Sequence, residues 1–168
     1  MITYLKGDAT APVDPNRSGF RVIAHIANSS GGWGRGFVVA LSKRWPQPEA
    51  SYRAWAKEAR LRGSEQELFA LGHIQIVKVE PTLWVANMIA QEGYGADGRP
   101  PVRYDALETC LTRLAQDVSY MVEPTIHMPR IGCSLGGGRW SEVEPIINKC
   151  LESIPVYVYD FPGGVFNP

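Results

Sequence analysis

No excess of charge of either sign marks this chain, since its 17 basic and 17 acidic side chains cancel. Bulk electrostatics therefore give no pull toward nucleic acid or an anionic membrane surface, and only local patches could do so. No apolar run approaches the roughly 18 to 20 residues of a membrane span. Met1 to Asp8 reads as a strand and a turn instead of a signal peptide, so a cytoplasmic protein with no membrane partner is expected. Cysteines are scarce: Cys110, Cys133 and Cys150 are odd in number and lack metal-ligand spacing, which suits reduced thiols. His25, His73 and His127 are equally scattered. This pattern calls for no metal, and no cofactor is expected. No linker or internal repeat divides the 168 residues, and a 45% hydrophobic composition is ample for one core, so 1–168 reads as a single domain.

Glycine, by contrast, is plentiful at 17 residues, and much of it falls in two clusters. One is Arg130-Ile-Gly-Cys-Ser-Leu-Gly-Gly-Gly-Arg-Trp140, between an expected short strand over Thr125–Met128 and a helix over Trp140–Ser153 with Val143, Ile146, Ile147 and Leu151 in helical period. The other is Asn28-Ser-Ser-Gly-Gly-Trp-Gly-Arg-Gly-Phe37, between a strand over Arg21–Ala27 and a helical stretch over Val38–Arg44. A strand-loop-helix junction presents free N–H groups and the positive end of a helix dipole, and glycines let an anion approach the backbone. Two such loops at strand ends can grip two phosphates, which points to a diphosphate ligand. Neither cluster continues into Gly-Lys-Ser/Thr or has Gly-x-Gly-x-x-Gly spacing, so kinases, ATPases and dehydrogenases rank low.

The remaining chain supplies a scaffold. Ile2–Leu5 alternates as a strand and ends in a turn holding Asp8, which could stabilise its own turn or accept from a ligand amine. Residues 11–20 read as a loop. His25 lies in an apolar run, where a hydrogen-bonded core role fits best. Glu49–Arg62 reads as a helix packed through Tyr52, Trp55, Ala56 and Ala59. Gly72–Val79 and Leu83–Ile89 form a hairpin about Glu80-Pro-Thr82, and Gln91 follows at the carboxyl edge. Tyr104–Tyr120 is a helix with Leu107, Leu111, Leu114, Ala115 and Val118 inward, and Val156–Tyr159 the final strand before Phe161 and a short tail. Alternating strands and helices predict an α/β fold, a mixed sheet with helices on both faces.

Gly7-Asp8 after the first strand, His25-Ile-Ala-Asn28 with its glycine loop, Asn87-Met-Ile-Ala-Gln91 and Pro129-Arg-Ile-Gly-Cys-Ser-Leu-Gly-Gly-Gly138 together resemble a macrodomain, over nearly the whole chain. The likeness is nearest to the branch that includes enzymes releasing ADP-ribose from glutamate. It implies a three-layer α/β/α fold with a mixed central sheet, and ADP-ribose and mono-ADP-ribosylated proteins as partners. Asp8, beside Ala9, matches the aspartate that accepts from the adenine amino group, which outweighs the turn reading. Asn28 matches the polar residue beside the distal ribose, and Gly34, Arg35, Gly36 and Phe37 the loop covering it. Gly132, Cys133, Ser134, Leu135, Gly136, Gly137 and Gly138 match the phosphate loop. Tyr159 or Phe161 stands where an aromatic stacks on adenine.

For catalysis the resemblance implies a lysine nucleophile, for which Lys78 falls at about the matching place, and an assisting acid, whose position Gly136 occupies. A nucleophilic lysine must be deprotonated by burial or a neighbouring charge. The alternative is a water oriented by Asn28 or Gln91 and helped by the substrate's own phosphate. The expected function is a hydrolase that removes mono-ADP-ribose from glutamate. The alternatives are processing of O-acetyl-ADP-ribose or ADP-ribose 1″-phosphate, and a non-catalytic reader. Release of ADP-ribose from nucleic-acid bases gains nothing from a balanced charge.

Overall fold

The computed structural model describes residues 1–15 and 18–168, so Asn16 and Arg17 of the expected 11–20 loop lie outside the described residues. Among the described residues six strands make one sheet: β1 Ile2–Lys6, β2 Arg21–Asn28, β3 Ile74–Glu80, β4 Leu83–Gln91, β5 Thr125–Met128 and β6 Val156–Asp160. Their order is β1-β6-β5-β2-β4-β3, with every pair parallel except β3 against β4. The helices are α1 Phe37–Arg44, α2 Gln47–Leu61, α3 Glu65–Leu68, α4 Tyr104–Val118 and α5 Trp140–Cys150. No helix is long and apolar enough to cross a membrane among the described residues.

The mixed sheet carries helices on both faces, as the three-layer expectation has it. Strand side chains alternate between two cores, as a strand's period of two requires. Val22 and Ala24 of β2 join Leu107, Leu111 and Leu114 of α4 and Val143 and Ile147 of α5 on one side. Ile23 and Ala27 join Leu41 of α1 and Tyr52, Ala56 and Ala59 of α2 on the other. Central strands covered on both faces read as continuous apolar runs, which is why Ile23, Val85 and Met88 are all fully buried. Shortening Leu107 or Leu111, both inaccessible, to Ala would cost about 2–5 kcal/mol.

The limits of the elements differ from expectation in instructive places. β4 runs two residues further, through Gln91, because it stays paired with β2 to that point. Between Ala27 and Asn28 the β2–β4 register shifts, and this bulge sets Asn28 opposite Gln91. α5 stops at Cys150, three residues short of the expected Ser153, and α2 begins at Gln47 with Pro48 in its first turn. The four-residue α3 buries nothing, so no periodicity announced it.

Candidate functional site

β2 and β5 lie side by side and parallel, yet the chain leaves β2 for α1 on one face and leaves β5 for α5 on the other. Such a reversal opens a crevice beyond the carboxyl ends of the strands. Here the two glycine loops form its walls. A cavity of about 520 Å³ is lined by Asn28, Trp33, Arg35, Gln91, Tyr94 and Leu135, and a second, of about 160 Å³, adjoins it between Gly36, Phe37, Arg130 and Gly132–Gly136. Leu135 and Arg35 line both.

The loop after β2 is held from behind. The Tyr52 hydroxyl donates to the carbonyl of Asn28, Arg60 donates to the carbonyl of Ser30 at 2.9 Å, and Trp33 Nε1 donates to Ser42 Oγ at 2.8 Å. Asn28 is buried and fixed, its Nδ2 donating to the Gly93 carbonyl at 2.8 Å and its Oδ1 accepting from Ser30 N–H at 3.0 Å. One amide hydrogen and one lone pair are left over for a ligand. Gly36, at φ 79°, turns the chain into α1 with no side-chain cap, and the N–H groups of Phe37 and Val38 have no partner among the described residues. The start of α1 therefore presents free N–H groups and the positive end of its dipole at the smaller cavity, which Gly36, Phe37 and Val38 line. A Cβ on Gly34 would meet nothing, whereas one on Gly36 would stand 3.1 Å from Leu135 Cδ1, where the loops touch.

The loop after β5 is built differently, and one expectation fails there. Its helix, α5, is closed at the N-terminus by the chain's own tail: Trp140 N–H donates to the Asn167 carbonyl at 3.0 Å and Ser141 N–H to the Pro168 carbonyl at 3.2 Å. The α5 dipole end is thus occupied by protein. What remains open is the loop itself, where the N–H groups of Ser134, Leu135 and Gly136 have no partner among the described residues. Gly138 N–H closes back on the Gly132 carbonyl at 2.8 Å and Gly137 N–H on that of Ser134 at 3.1 Å. Added side chains do not fit inside it, for a Cβ on Gly136 would lie 2.7 Å from Gly132 O and one on Gly138 2.8 Å from the same atom. Burial pushes the Cys133 thiol up to about 11, so it stays a thiol.

Asp8 and Phe161 follow the neighbouring strands β1 and β6 at their carboxyl ends, and neither lines either cavity. Asp8 Oδ1 accepts from Thr10 N–H and Oγ1 at 2.8 and 2.7 Å, and Arg44 approaches Oδ2 at 3.4 Å. Partial burial would raise its pKa, but the Thr10 and Arg44 hydrogen bonds outweigh that and hold it below the usual range. Asp8 thus ties its own turn, as the turn reading has it, and its side chain stays about one-third exposed beside Arg44. Ala9 is buried beneath it. Tyr159 is buried too, its hydroxyl bonded to His127 Nδ1 at 2.9 Å and to Val13 N–H at 3.0 Å. Phe161 is 63% exposed and is the aromatic of the two that can present a face to a base.

Lys78 stands apart from all of this. It is exposed on the edge strand β3, paired with Trp84 and lying over that ring at 5.4 Å. Trp84 and Gln91 are seven positions apart on β4, roughly 23 Å along an extended strand. The nucleophile expectation fails because β3 runs antiparallel and carries residue 78 to the end of the sheet opposite the crevice. Among the described residues, those lining the two cavities include Arg35, Arg53 and Arg130 but no carboxylate.

Two buried histidines flank the crevice floor. His25 donates from Nε2 to Asn87 Oδ1 at 2.5 Å, and its Nδ1 has no partner among the described residues. Burial, opposed only in part by Asn87, pulls its pKa down to about 4. His127 bonds through both ring nitrogens, to Thr125 and Tyr159, and burial with the nearby Arg21 charge pulls it down to about 3. Both are neutral core histidines at physiological pH, as the apolar run around His25 indicated. Sequence reasoning set the stretch Gln91–Gly95 at the carboxyl edge, where ligands bind, without singling out Tyr94, and it missed Arg53 and Asn167 as parts of this region. The glycine-flanked Gly93-Tyr94-Gly95 beyond β4 was the available signal for Tyr94, whose hydroxyl bonds Ser30 Oγ at 2.7 Å; Arg53 and Asn167 carried none.

No family model matches the chain. A macrodomain protein from Streptomyces coelicolor is 49% identical, with a TM-score of 0.79 over 95% of this chain and 99% of that one. A Thermosipho africanus DarTG in complex with ADP-ribose superposes with a TM-score of 0.72 at 18% identity, over 99% of this chain and 43% of that one. Chromodomain-helicase-DNA-binding protein 1-like of Mus musculus is 30% identical over 164 residues, 96% of this chain. The chain spans 18% of the length of that relative and 16% of its Danio rerio counterpart. An ADP-ribose 1″-phosphate phosphatase of Candida albicans is 25% identical over 158 residues, 89% of this chain and 93% of that one.

Proposed function

The chain belongs to the macrodomain family, and from that premise we propose that its crevice binds ADP-ribose and that the protein is a hydrolase releasing mono-ADP-ribose from glutamate side chains of modified proteins. In this reading Asp8 and Phe161 hold adenine. The diphosphate lies between the open N–H groups of Ser134–Gly136 and the start of α1. The distal ribose then reaches Asn28, Gln91 and Tyr94.

One observation supports the choice of substrate: arginines, amides and N–H groups line the two cavities between the glycine loops, and among the described residues no carboxylate does. Among the described residues the lining offers no carboxylic acid to protonate a leaving group, and its remaining acids are the Tyr94 phenol and the neutral His25 ring. Such a lining suits a bond that releases a group stable as an anion, and a glutamate ester does so, whereas an amine or alcohol needs a proton. With Lys78 far away, water is the nucleophile. Held between the diphosphate and the distal ribose, and oriented by the Gln91 amide opposite Asn28, it attacks the anomeric carbon. The bond from that carbon to the ester oxygen breaks and its electron pair leaves with the carboxylate. The water's proton passes to a diphosphate oxygen and on to solvent. Arg35 and Arg53 at the mouth balance the departing charge, and the loop N–H groups stabilise the diphosphate as it takes the proton.

The test is release of free ADP-ribose from a protein modified on glutamate, beside controls modified on serine and arginine. Release from the glutamate substrate alone is expected. Release from none of them with ADP-ribose still bound would make the protein a reader. The Candida albicans relative favours a second reading, cleavage of ADP-ribose 1″-phosphate, whose leaving group is likewise an anion. Phosphate appearing from that compound, with the glutamate substrate untouched, would select it.

A further inference from the structure

The tail beyond β6 touches both ends of the phosphate loop through one residue. Asn167 N–H donates to the Cys133 carbonyl at 2.7 Å, near the start of the loop, and its side-chain Nδ2 donates to the Gly138 carbonyl at 3.1 Å, at the end. Its own carbonyl accepts from Trp140 N–H, the first of α5. Next to it, Phe166 packs on the Arg130 guanidinium at 4.2 Å, in a cluster that also holds Tyr4 and Trp140 at 4.6 and 4.8 Å. Arg130 in turn is fixed by Asp160 through two bonds of 2.7 and 2.9 Å. None of the tail residues lines the crevice, so the tail lies on the outer side of the loop and does not block it.

We propose that Asn167 is a positioning residue for ligand binding: it fixes the separation of Cys133 and Gly138 and so aims the N–H groups of Ser134, Leu135 and Gly136 into the crevice. A glycine-rich loop is otherwise the most mobile kind of backbone, and ordering it at the moment of binding would weaken affinity. The tail does the ordering in advance. Its action is confined to the phosphate half of the site, since no tail contact reaches Asn28, Tyr94 or the start of α1. The inference rests on the reading that this loop holds a diphosphate.

The experiment compares wild type, Asn167→Ala, Asn167→Asp and Phe166→Ala in calorimetric titrations with ADP-ribose and with adenosine, which has no phosphate. Loss of one hydrogen bond predicts about a fivefold weaker ADP-ribose affinity for Asn167→Ala, and a larger loss for Asn167→Asp, which sets an acceptor against the Gly138 carbonyl. Adenosine affinity should not move. Amide exchange of the free proteins supplies the second readout: Gly138, Trp140 and Ser141 should exchange faster in the variants, while β5 does not. Unchanged ADP-ribose affinity, or an equal loss for adenosine, would overturn the proposal, as would unaltered exchange. Wild type that fails to bind ADP-ribose would instead sink the ligand reading, and the exchange rates would still decide whether the tail orders the loop.

Discussion

The two glycine loops lead from neighbouring parallel strands, each with a buried histidine, into helices, yet they expose different parts of themselves. After β2 the helix end is open and the loop is braced by arginine and aromatic side chains from α2. After β5 the helix end is closed by the tail and the loop's interior N–H groups are open. The histidines repeat the contrast, since His127 satisfies both ring nitrogens and His25 only one. Similar sequence thus yields one site made of a helix dipole and one made of a fixed loop. The lesson is that a strand-loop-helix pattern identifies a place for an anion but not which N–H groups will meet it.

Substituting each loop should break that symmetry most visibly. Gly136→Val drives a side chain against the Gly132 backbone, so both ADP-ribose binding and the thermal midpoint should fall, by more than about 2 kcal/mol in stability. Gly36→Val meets only the movable end of Leu135, so its cost to the fold is the strain of its φ of 79°, about 1–3 kcal/mol, while binding should be lost as fully. Equal midpoints for the two variants would show that the loops are built alike after all.

The histidines offer a pH comparison. Their folded pKa values, about 4 and about 3, lie below the unfolded value of 6.5, so the folded state disfavours the proton. Both are neutral in both states above about pH 6.5, and stability is complete there with respect to them. As pH falls below that, the unfolded chain takes up protons first, and stability drops by about 1.4 kcal/mol per pH unit for each histidine until its folded pKa is reached. Denaturant melts between pH 7 and 4.5 should show this slope, and His25→Gln should roughly halve it. A flat profile would mean the rings are charged in the fold.

Smaller effects sit at the periphery of the crevice. Asp8→Ala should weaken ADP-ribose binding by about 1–3 kcal/mol, the loss of a bond to a charged acceptor, with adenosine affected as strongly as ADP-ribose. Titration of both ligands checks this, and an unchanged affinity would remove Asp8 from the site. Lys78→Ala should leave turnover at the wild-type rate; a large drop would require a crevice quite unlike the one between the two loops.

The architecture was legible because the buried strands, the helical stripes of α2 and α4 and the glycine clusters are local patterns. Of the site, what lay next to a strand end could be read: Asn28, Gln91, the loop over 132–138 and Asp8 all fall at carboxyl edges. Lys78 was misplaced because its position along the chain says nothing about which end of an antiparallel strand it occupies once β3 turns back against β4. The difference between Tyr159 and Phe161 needed the end of β6: Tyr159 lies inside the strand, buried with its hydroxyl on His127, whereas Phe161 falls past Asp160 and is exposed. The closure of α5 by Asn167 had no local trace, since it joins residues remote in sequence through backbone groups common to every residue.

The pairing of Ile2 with Val156 has a consequence for how the protein comes into being. Within this fold β1 precedes every other strand in sequence and its neighbour β6 follows them all, so β1 must wait, with the edge that faces β6 unpaired, until β6 has been made. Contacts of such sequence separation slow folding and prolong exposure of a free sheet edge. The interior strands β2, β4 and β5 can assemble around α4 beforehand. By this order Asp8 and Phe161 come together last, and the carboxyl ends of β1 and β6 are the last part of the sheet to form.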